Sequence, residues 1–316
     1  MRKISLALVL AAALVLCCAA ISPAQQQDVP LAFKFAVGDV IQYDVIVSGS
    51  ASVTAAGNQV TPVTVRGNLS LAQTVTQVLP DGSGRLETRM PSGDLTVVVD
   101  KEQAKFSYAN GQLRWFANGK ESTPPQGDLS KLPLIGAPIA YTMAPDGRVS
   151  DLGFADPRMM AEVLKAMPGF DFSSMQNTGE AIFPANPVKI GETWSASKTL
   201  APMGPMLPFL LTTSRTLDSF SDAGGIGLAK ITGVSESRYV GAANPTALPG
   251  VMKDVSFSIS DIRQSVNSTE FFNTTNGRLM RGDYDVALSA HVSANIANDQ
   301  KSVGADARIR VSVQSR

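Results

Sequence analysis

Histidine appears once in this chain, at His291, and cysteine only at Cys17 and Cys18. Aromatic residues make up 6% of the 316 residues, and 27 basic side chains balance 27 acidic ones without forming a basic run. Each scarcity closes a class of function. A single histidine beside two adjacent cysteines cannot assemble the usual zinc ligand sets. A nearly neutral chain has no electrostatic footprint for nucleic acid or an anionic membrane surface. The shortage of aromatics argues against a sugar cleft, although paired carboxylates for glycoside hydrolysis meet in space and leave no mark in sequence. No cofactor is called for: Gly224-Gly225-Ile226-Gly227 is not followed by a helix and makes a poor phosphate loop.

The first 24 residues read as an export signal. Arg2 and Lys3 precede a predominantly apolar run, Ile4–Leu16, which is shorter than the roughly 20 residues that a spanning helix needs. Ser22 and Ala24 supply the small side chains expected before a cut after Ala24. A short membrane anchor is one alternative. Lipid modification of Cys17 or Cys18 is another, disfavoured because Leu16 and Cys17 stand where a small residue is wanted. Cleavage would remove both cysteines, and disulfides, thiolate nucleophiles and thiolate-bound metal with them. The chain is expected to be exported, periplasmic or extracellular, with no transmembrane segment after the leader. An exported protein of this size without disulfides needs a large core of its own.

A two-residue rhythm dominates the remainder. Between Asp283 and Ile296, Tyr284, Val286, Leu288, Ala290, Val292, Ala294 and Ile296 alternate with mostly polar neighbours that include His291. Successive strand side chains point to opposite faces, so this is a long strand with one apolar and one polar face. Val40–Ser48, Ala307–Val313 and the Val255, Phe257, Ile259 series repeat the pattern. Pro80-Asp81-Gly82, Asn110-Gly111 and Asn276-Gly277 separate such runs, and these residues tolerate the positive φ of tight hairpins. About a dozen strands joined by hairpins predict a mainly β protein: a large curved antiparallel sheet or half-barrel.

One segment changes period. Asp156 can cap a helix that Pro157 begins, with Met159, Met160, Val163, Leu164 and Met167 forming a stripe and Pro168-Gly169 ending it. This central amphipathic helix divides the chain into a first β half, 25–150, a helical connector, 151–180, and a second β half, 181–316. The halves read either as one domain or as two. They share a grammar that suggests an internal repeat: Val37-Gly38-Asp39 and Ile190-Gly191-Glu192 each open a strand, and each half later carries an aromatic strand, an Asn-Gly turn and a leucine.

The strand openings "VGD…Y" and "IGETW" and the hairpins "APDGRVSDLG" and "TNGRLMRGD" resemble a group of uncharacterised exported bacterial proteins whose look is that of the lipoprotein-carrier fold. That resemblance implies a curved antiparallel sheet with a helical lid over an apolar cavity. It carries over no functional residues.

Candidates for chemistry are few. Ser289 and Ser293 share a face with His291 but lie about 7 Å from it along the strand, beyond the reach of a nucleophile–base pair, and no Gly-x-Ser-x-Gly elbow occurs. His291 is expected to be a solvated residue on an outer face. Asp81-Gly82-Ser83-Gly84 and the Asp218, Asp222 pair lack the spaced ligands of a calcium loop and read as turns. Asn68, Asn267 and Asn273 begin glycosylation triplets; in a bacterial protein they would be coincidence, and the leader does not decide the kingdom. The remaining candidate surface is apolar. Met203, Met206, Leu207 and Phe209 lie in a proline-rich stretch, and with Met143, Met159, Met160, Val163, Leu164 and Met167 they offer a soft surface of the kind methionine supplies. It could serve as a lip for a lipid-like ligand, as a partner-docking face, or as a plug in the core. The leading reading is an exported, non-catalytic protein that binds an apolar small molecule in a β concavity. The alternatives are an envelope structural or adaptor protein with a solid core and a protein partner, and a hydrolase built from distant carboxylates.

Overall fold

The structure, a computed structural model, describes residues 28–54, 59–123, 136–166, 182–200, 208–241, 255–296 and 299–316. In chain order the first half supplies β1 (Val40–Thr54), β2 (Val60–Val78), β3 (Gly84–Val99), β4 (Glu102–Ala109), β5 (Gln112–Ala117), β6 (Lys120–Ser122), β7 (Ile139–Met143) and β8 (Val149–Phe154). Helix α1 (Pro157–Ala166) follows. The second half supplies β9 (Thr193–Leu200), β10 (Phe209–Ala223), β11 (Ile226–Tyr239), β12 (Val255–Asn273), β13 (Arg278–Ile296) and β14 (Asp299–Ser315).

All fourteen strands belong to one antiparallel sheet in the order β6-β5-β4-β3-β2-β1-β14-β13-β12-β11-β10-β9. The strand β3 forks it: residues 92–99 pair with β4, while residues 84–88 pair with β7, which carries β8. Each half is thus a run of hairpins, and the two runs join where the first strand meets the last. Strands β2, β12 and β13 each have 19 residues, against a usual length of about 5–6.

Pairing stacks the two-residue rhythm into rows. Trp115, Phe106, Leu95, Gly67, Val47 and Val311 stand abreast from β5 to β14. The same row continues through Tyr284, Ser268, Gly233 and Arg215 to Trp194 at the far edge. Every residue of such a row points to the same side, which makes one face apolar over most of its width. The opposite face is solvated and carries ion pairs, among them Arg310–Asp285 and Arg281–Asp283, both at 2.8 Å.

Hairpin chemistry is as the residues require. Asn110 and Gly111 both adopt positive φ, 52° and 77°, the signature of a two-residue turn matched to strand twist. Gly224 and Gly225 do the same between β10 and β11, so this glycine run is a hairpin. The two strand openings make matching backbone bonds. Gly38 N donates to Val75 O (2.9 Å) and Val75 N to Asp39 O (2.9 Å); Gly191 N donates to Leu217 O (2.7 Å) and Leu217 N to Glu192 O (3.1 Å).

The helix starts where expected. Asp156 Oδ1 accepts from Arg158 N at 2.9 Å, which caps the first turn. Its packing is against β8. The apolar face is instead covered at one end by two extended segments, 28–39 and 182–192. They bridge each other through Val29 N to Val188 O (2.8 Å) and Val188 N to Val29 O (3.0 Å). Val29, Leu31, Phe183 and Val188 press from this cover onto Leu217, Ile231 and Phe272 of the sheet. Phe183 and Phe272 are almost wholly buried with ring centres 4.7 Å apart, and burying each contributes roughly 1.5–3 kcal/mol. The covering segment reads in–out like a strand, with Val29, Leu31, Phe33 and Phe35 inward and Lys34 outward.

Candidate functional site

Between this cover and the sheet lies a cavity of about 400 Å³. Its roof is Phe33 and Phe35, with Ile182 and Phe183 beside them. Its walls are the lower apolar rows of the sheet, including Val45, Val75, Leu86 and Val313. Phe33 is held from three sides: it stacks on Phe183 at 5.2 Å, meets Phe272 edge-on at 5.3 Å, and donates its N–H to Pro145 O at 2.8 Å. Lys34 next to it points outward and donates Nζ to the Thr274 and Thr275 carbonyls, both at 3.0 Å, which ties the roof to the β12–β13 hairpin.

A polar group crosses the otherwise oily interior. Glu270 on β12 is 8% exposed. Burial pushes its carboxyl up from the ordinary carboxylate value, opposed by the positive charge of Arg215 and by a hydrogen bond from Tyr284. The Tyr284 phenol is pushed well above its usual range, first by burial and then by the neighbouring Glu270 carboxyl. Tyr43 is pushed up to about 12, mainly by burial, with Arg278 acting in the opposite direction. Arg278 pairs with Asp39, the acid of the first strand opening. Tyr141 of β7 accepts from Gln73 Nε2 and lies 3.2 Å from Thr88 Oγ1.

Glycines make room for the two largest polar side chains. A methyl group on Gly282 would come within 2.6 Å of the Tyr284 hydroxyl. Residue 282 stands directly opposite Glu270 across the β12–β13 pair, so its bare backbone is what lets Tyr284 reach the acid. On Gly233 the same addition would meet Arg215 Cγ at 3.3 Å and Ser268 Oγ at 2.6 Å. The stem of Arg215 therefore lies along the notch at Gly233.

Among the candidate residues read from sequence, Met143 lines this cavity. Met159 is half-buried on α1. Met160, Val163 and Leu164 belong to the same helix, but their side chains lie outside the described residues, as do Met167, Met203, Met206 and Leu207 altogether. Phe209 is at the other end of β10, six residues beyond Arg215 and so about 20 Å away; its ring meets Tyr239 at 6.0 Å. The covering phenylalanines and the Glu270 group were not singled out in the sequence. The signals that mark them are the in–out alternation of Val29–Phe35 and the charges at sheet-facing positions in "TEFFN" and "TTSRTL".

The other face carries a wider trough of about 1220 Å³, lined by serines and by charges of both signs such as Glu236, Arg238, Asp306 and Arg308. His291 is exposed on this polar face, opposite Asp261 and Gly304 in register. The acidic residues read as turns serve as turns and pairs. Asp81 accepts from Ser83 N at 3.0 Å, Asp222 accepts from Gly225 N at 3.2 Å, and Asp218 pairs with Lys230 at 3.2 Å. Asn273 is buried, and its side chain accepts from Thr275 N and Asn276 N to shape the β12–β13 turn.

No family model matches this chain, and no curated protein matches it in sequence. Solved structures similar to it are outer-membrane channels. OpdQ of Pseudomonas aeruginosa is 8% identical, with a TM-score of 0.25, over 88% of this chain and 100% of its own. OccAB3 of Acinetobacter baumannii is 6% identical at 0.23, over 88% and 100%. The COG4313 outer membrane channel from Pseudomonas putida F1 is 10% identical at 0.20, over 94% and 100%. The resemblance to lipoprotein carriers is thereby corrected: none of these neighbours is a carrier, and the apolar face here is covered by extended chain where that fold has a helical lid. Strand and turn motifs had suggested it because any long antiparallel sheet repeats them. At these TM-scores the channel likeness reaches no further than long antiparallel strands and carries no functional argument.

Proposed function

We propose that this is an exported, non-catalytic binding protein that holds an apolar small molecule in the cavity between the Val29–Phe35 segment and the sheet. The observation that carries this reading is the cavity itself, whose 400 Å³ falls in the roughly 300–1,000 Å³ range of small-molecule sites. Aromatic and aliphatic side chains form most of its wall, so hydrophobic burial would supply the affinity without a covalent step. Met143 belongs to that wall. Helix α1, which carries Met159, follows β8, the partner of Met143's own strand, and this succession supports a lip on that flank. A solid core forms where Val29, Leu31 and Val188 meet the sheet, and the cavity beside it under Phe33 and Phe35 is what favours binding over an adaptor with a filled interior.

Native mass spectrometry of protein purified without detergent is expected to show a bound species that organic extraction removes. Ile41→Trp places a large ring in the cavity and is expected to abolish that species while leaving the far-ultraviolet spectrum unchanged. Identical spectra before and after extraction, together with no uptake of a fluorescent fatty-acid probe, would overturn the reading.

A further inference from the structure

Polar groups at the cavity wall divide into those already engaged and those left over. Lys34 points away, toward the Thr274 and Thr275 carbonyls. The remaining charges are two of each sign, Arg215 and Arg278 against Asp39 and Glu270, and Arg278 is paired with Asp39. The Nε atoms of both arginines lack a hydrogen bond, but the protein around them seals them, so they present nothing to a ligand. A charged head would enter this apolar space without a counter-charge to meet it.

Uncharged groups are what is left. Near the cavity, Tyr284 bonds to Glu270, Tyr141 accepts from Gln73 Nε2, and Trp194 donates Nε1 to Ile182 O at 2.8 Å. A buried tyrosine or tryptophan usually finds such a partner. Tyr43 lines the cavity and is half-buried. Its hydroxyl has no hydrogen bond among the described residues, and it is not sealed as the two arginine nitrogens are. Gln73 also lines the cavity. It gives its amide nitrogen to Tyr141, and its Oε1 is likewise unsealed and without a hydrogen bond among the described residues. On the β1–β2 pair Tyr43 stands opposite Leu71 and Gln73 opposite Ile41, which makes Tyr43 and Gln73 diagonal neighbours on one face. Long side chains reach each other across such a diagonal. An unused O–H and an unused C=O thus stand side by side on a wall that is otherwise mostly aliphatic and aromatic.

We infer that the cavity ligand is an uncharged amphiphile with a hydroxyl head: the head docks between Tyr43 and Gln73, and the apolar body lies beneath Phe33 and Phe35. This rests on the cavity reading above and adds the ligand class to it. A hydroxyl both donates and accepts. It can take the Tyr43 O–H on its oxygen and give its own proton to Gln73 Oε1, so that both unused groups are satisfied by one atom pair. A hydrocarbon satisfies neither. A carboxylate has no proton for Gln73 and no free cation to balance it, and an ammonium has no acceptor for Tyr43.

The test loads the full, delipidated chain with N-phenyl-1-naphthylamine, an uncharged apolar fluorophore, and displaces it at pH 7.5 with 1-decanol, 1-chlorodecane, decanoate or decyltrimethylammonium. The alcohol is expected to act at about fivefold or more lower concentration than the chloride, the advantage of one or two net hydrogen bonds. Both charged probes are expected to be weaker than the alcohol. In Tyr43→Phe the alcohol should fall toward the chloride, while the fluorophore and the chloride bind as before; a merely structural loss would weaken all of them together. Gln73→Met should remove part of the same advantage. Should the variants not fold, the four probes on the unaltered protein decide the matter. Equal action of alcohol and chloride, or a stronger action of either charged probe, overturns the head assignment and leaves the cavity reading standing. No uptake of the fluorophore and no binding of any of the four overturns both.

Discussion

Glu270 and Tyr284 lie in adjacent rows on the apolar face, and their hydrogen bond depends on the open backbone of Gly282. The sign of the resulting pH dependence follows from burial. The folded protein holds the Glu270 proton more tightly than the unfolded chain, where the group has its ordinary value of about 4.5. Its contribution is fully present below that value and is lost as pH rises through the folded one. Glu270→Gln keeps the shape and removes the charge, so urea midpoints measured between about pH 4 and pH 8 should decline less for the variant than for the parent. Tyr284→Phe leaves a buried acceptor without its donor and should cost about 1–3 kcal/mol by denaturant titration. The raised phenol of Tyr43, about 12, predicts that a late-ionising tyrosine signal disappears from spectrophotometric titration in Tyr43→Phe.

The β12–β13 hairpin is more than a turn. Gly277 has a φ of +67°, and a methyl group placed there would come within 2.3 Å of the Lys34 backbone nitrogen. Gly277→Ala should therefore strain the turn by about 1 kcal/mol or more and also push the covering segment off the sheet. Hydrogen exchange should show this as faster labelling of residues 29–35 with little change along β13. A merely local strain would leave both segments at parental rates. The same comparison applied to Asp156→Ala should show loss of the α1 cap at a cost of about 1 kcal/mol, with no effect on the cover. Hairpins and the cap were legible because each is decided by two to four consecutive residues. The cover was equally periodic, in Val29, Leu31, Phe33 and Phe35, but periodicity alone does not say which surface such a segment meets.

At the level of the whole molecule the two hairpin runs are joined by the last strand. β14 lies between β1 and β13, and Arg316 N donates to Gln42 O at 2.9 Å while its guanidinium grips Asp44. Deletion of residues 299–316 would expose two long unpaired edges, on β1 and β13, in the middle of the sheet. Such edges invite association, so the truncated protein should scatter light and lack the parental cooperative transition. Deletion of residues 120–122, the short strand β6 at the rim, should be tolerated with a near-parental melting temperature. A truncated form that stays monomeric and melts cooperatively would show that the two hairpin runs stand alone.

Local patterns were enough for the large antiparallel β protein, from side-chain alternation, for its hairpins, from turn residues, and for the single described helix, from its cap and 3.6-residue stripe, with His291 on a solvated face. Residues of one strand alternate whatever they pair with, so the rows across the sheet were beyond the reach of such patterns. The meeting of Arg215, Glu270, Tyr284 and Arg278 depends on the register of β10 through β13 and on bare glycines opposite the longest side chains. The cavity depends further on a segment more than 200 residues away in sequence settling over Phe272. Tertiary structure alone decided these, because a buried charge is defined by what surrounds it, and its surroundings come from every part of the chain.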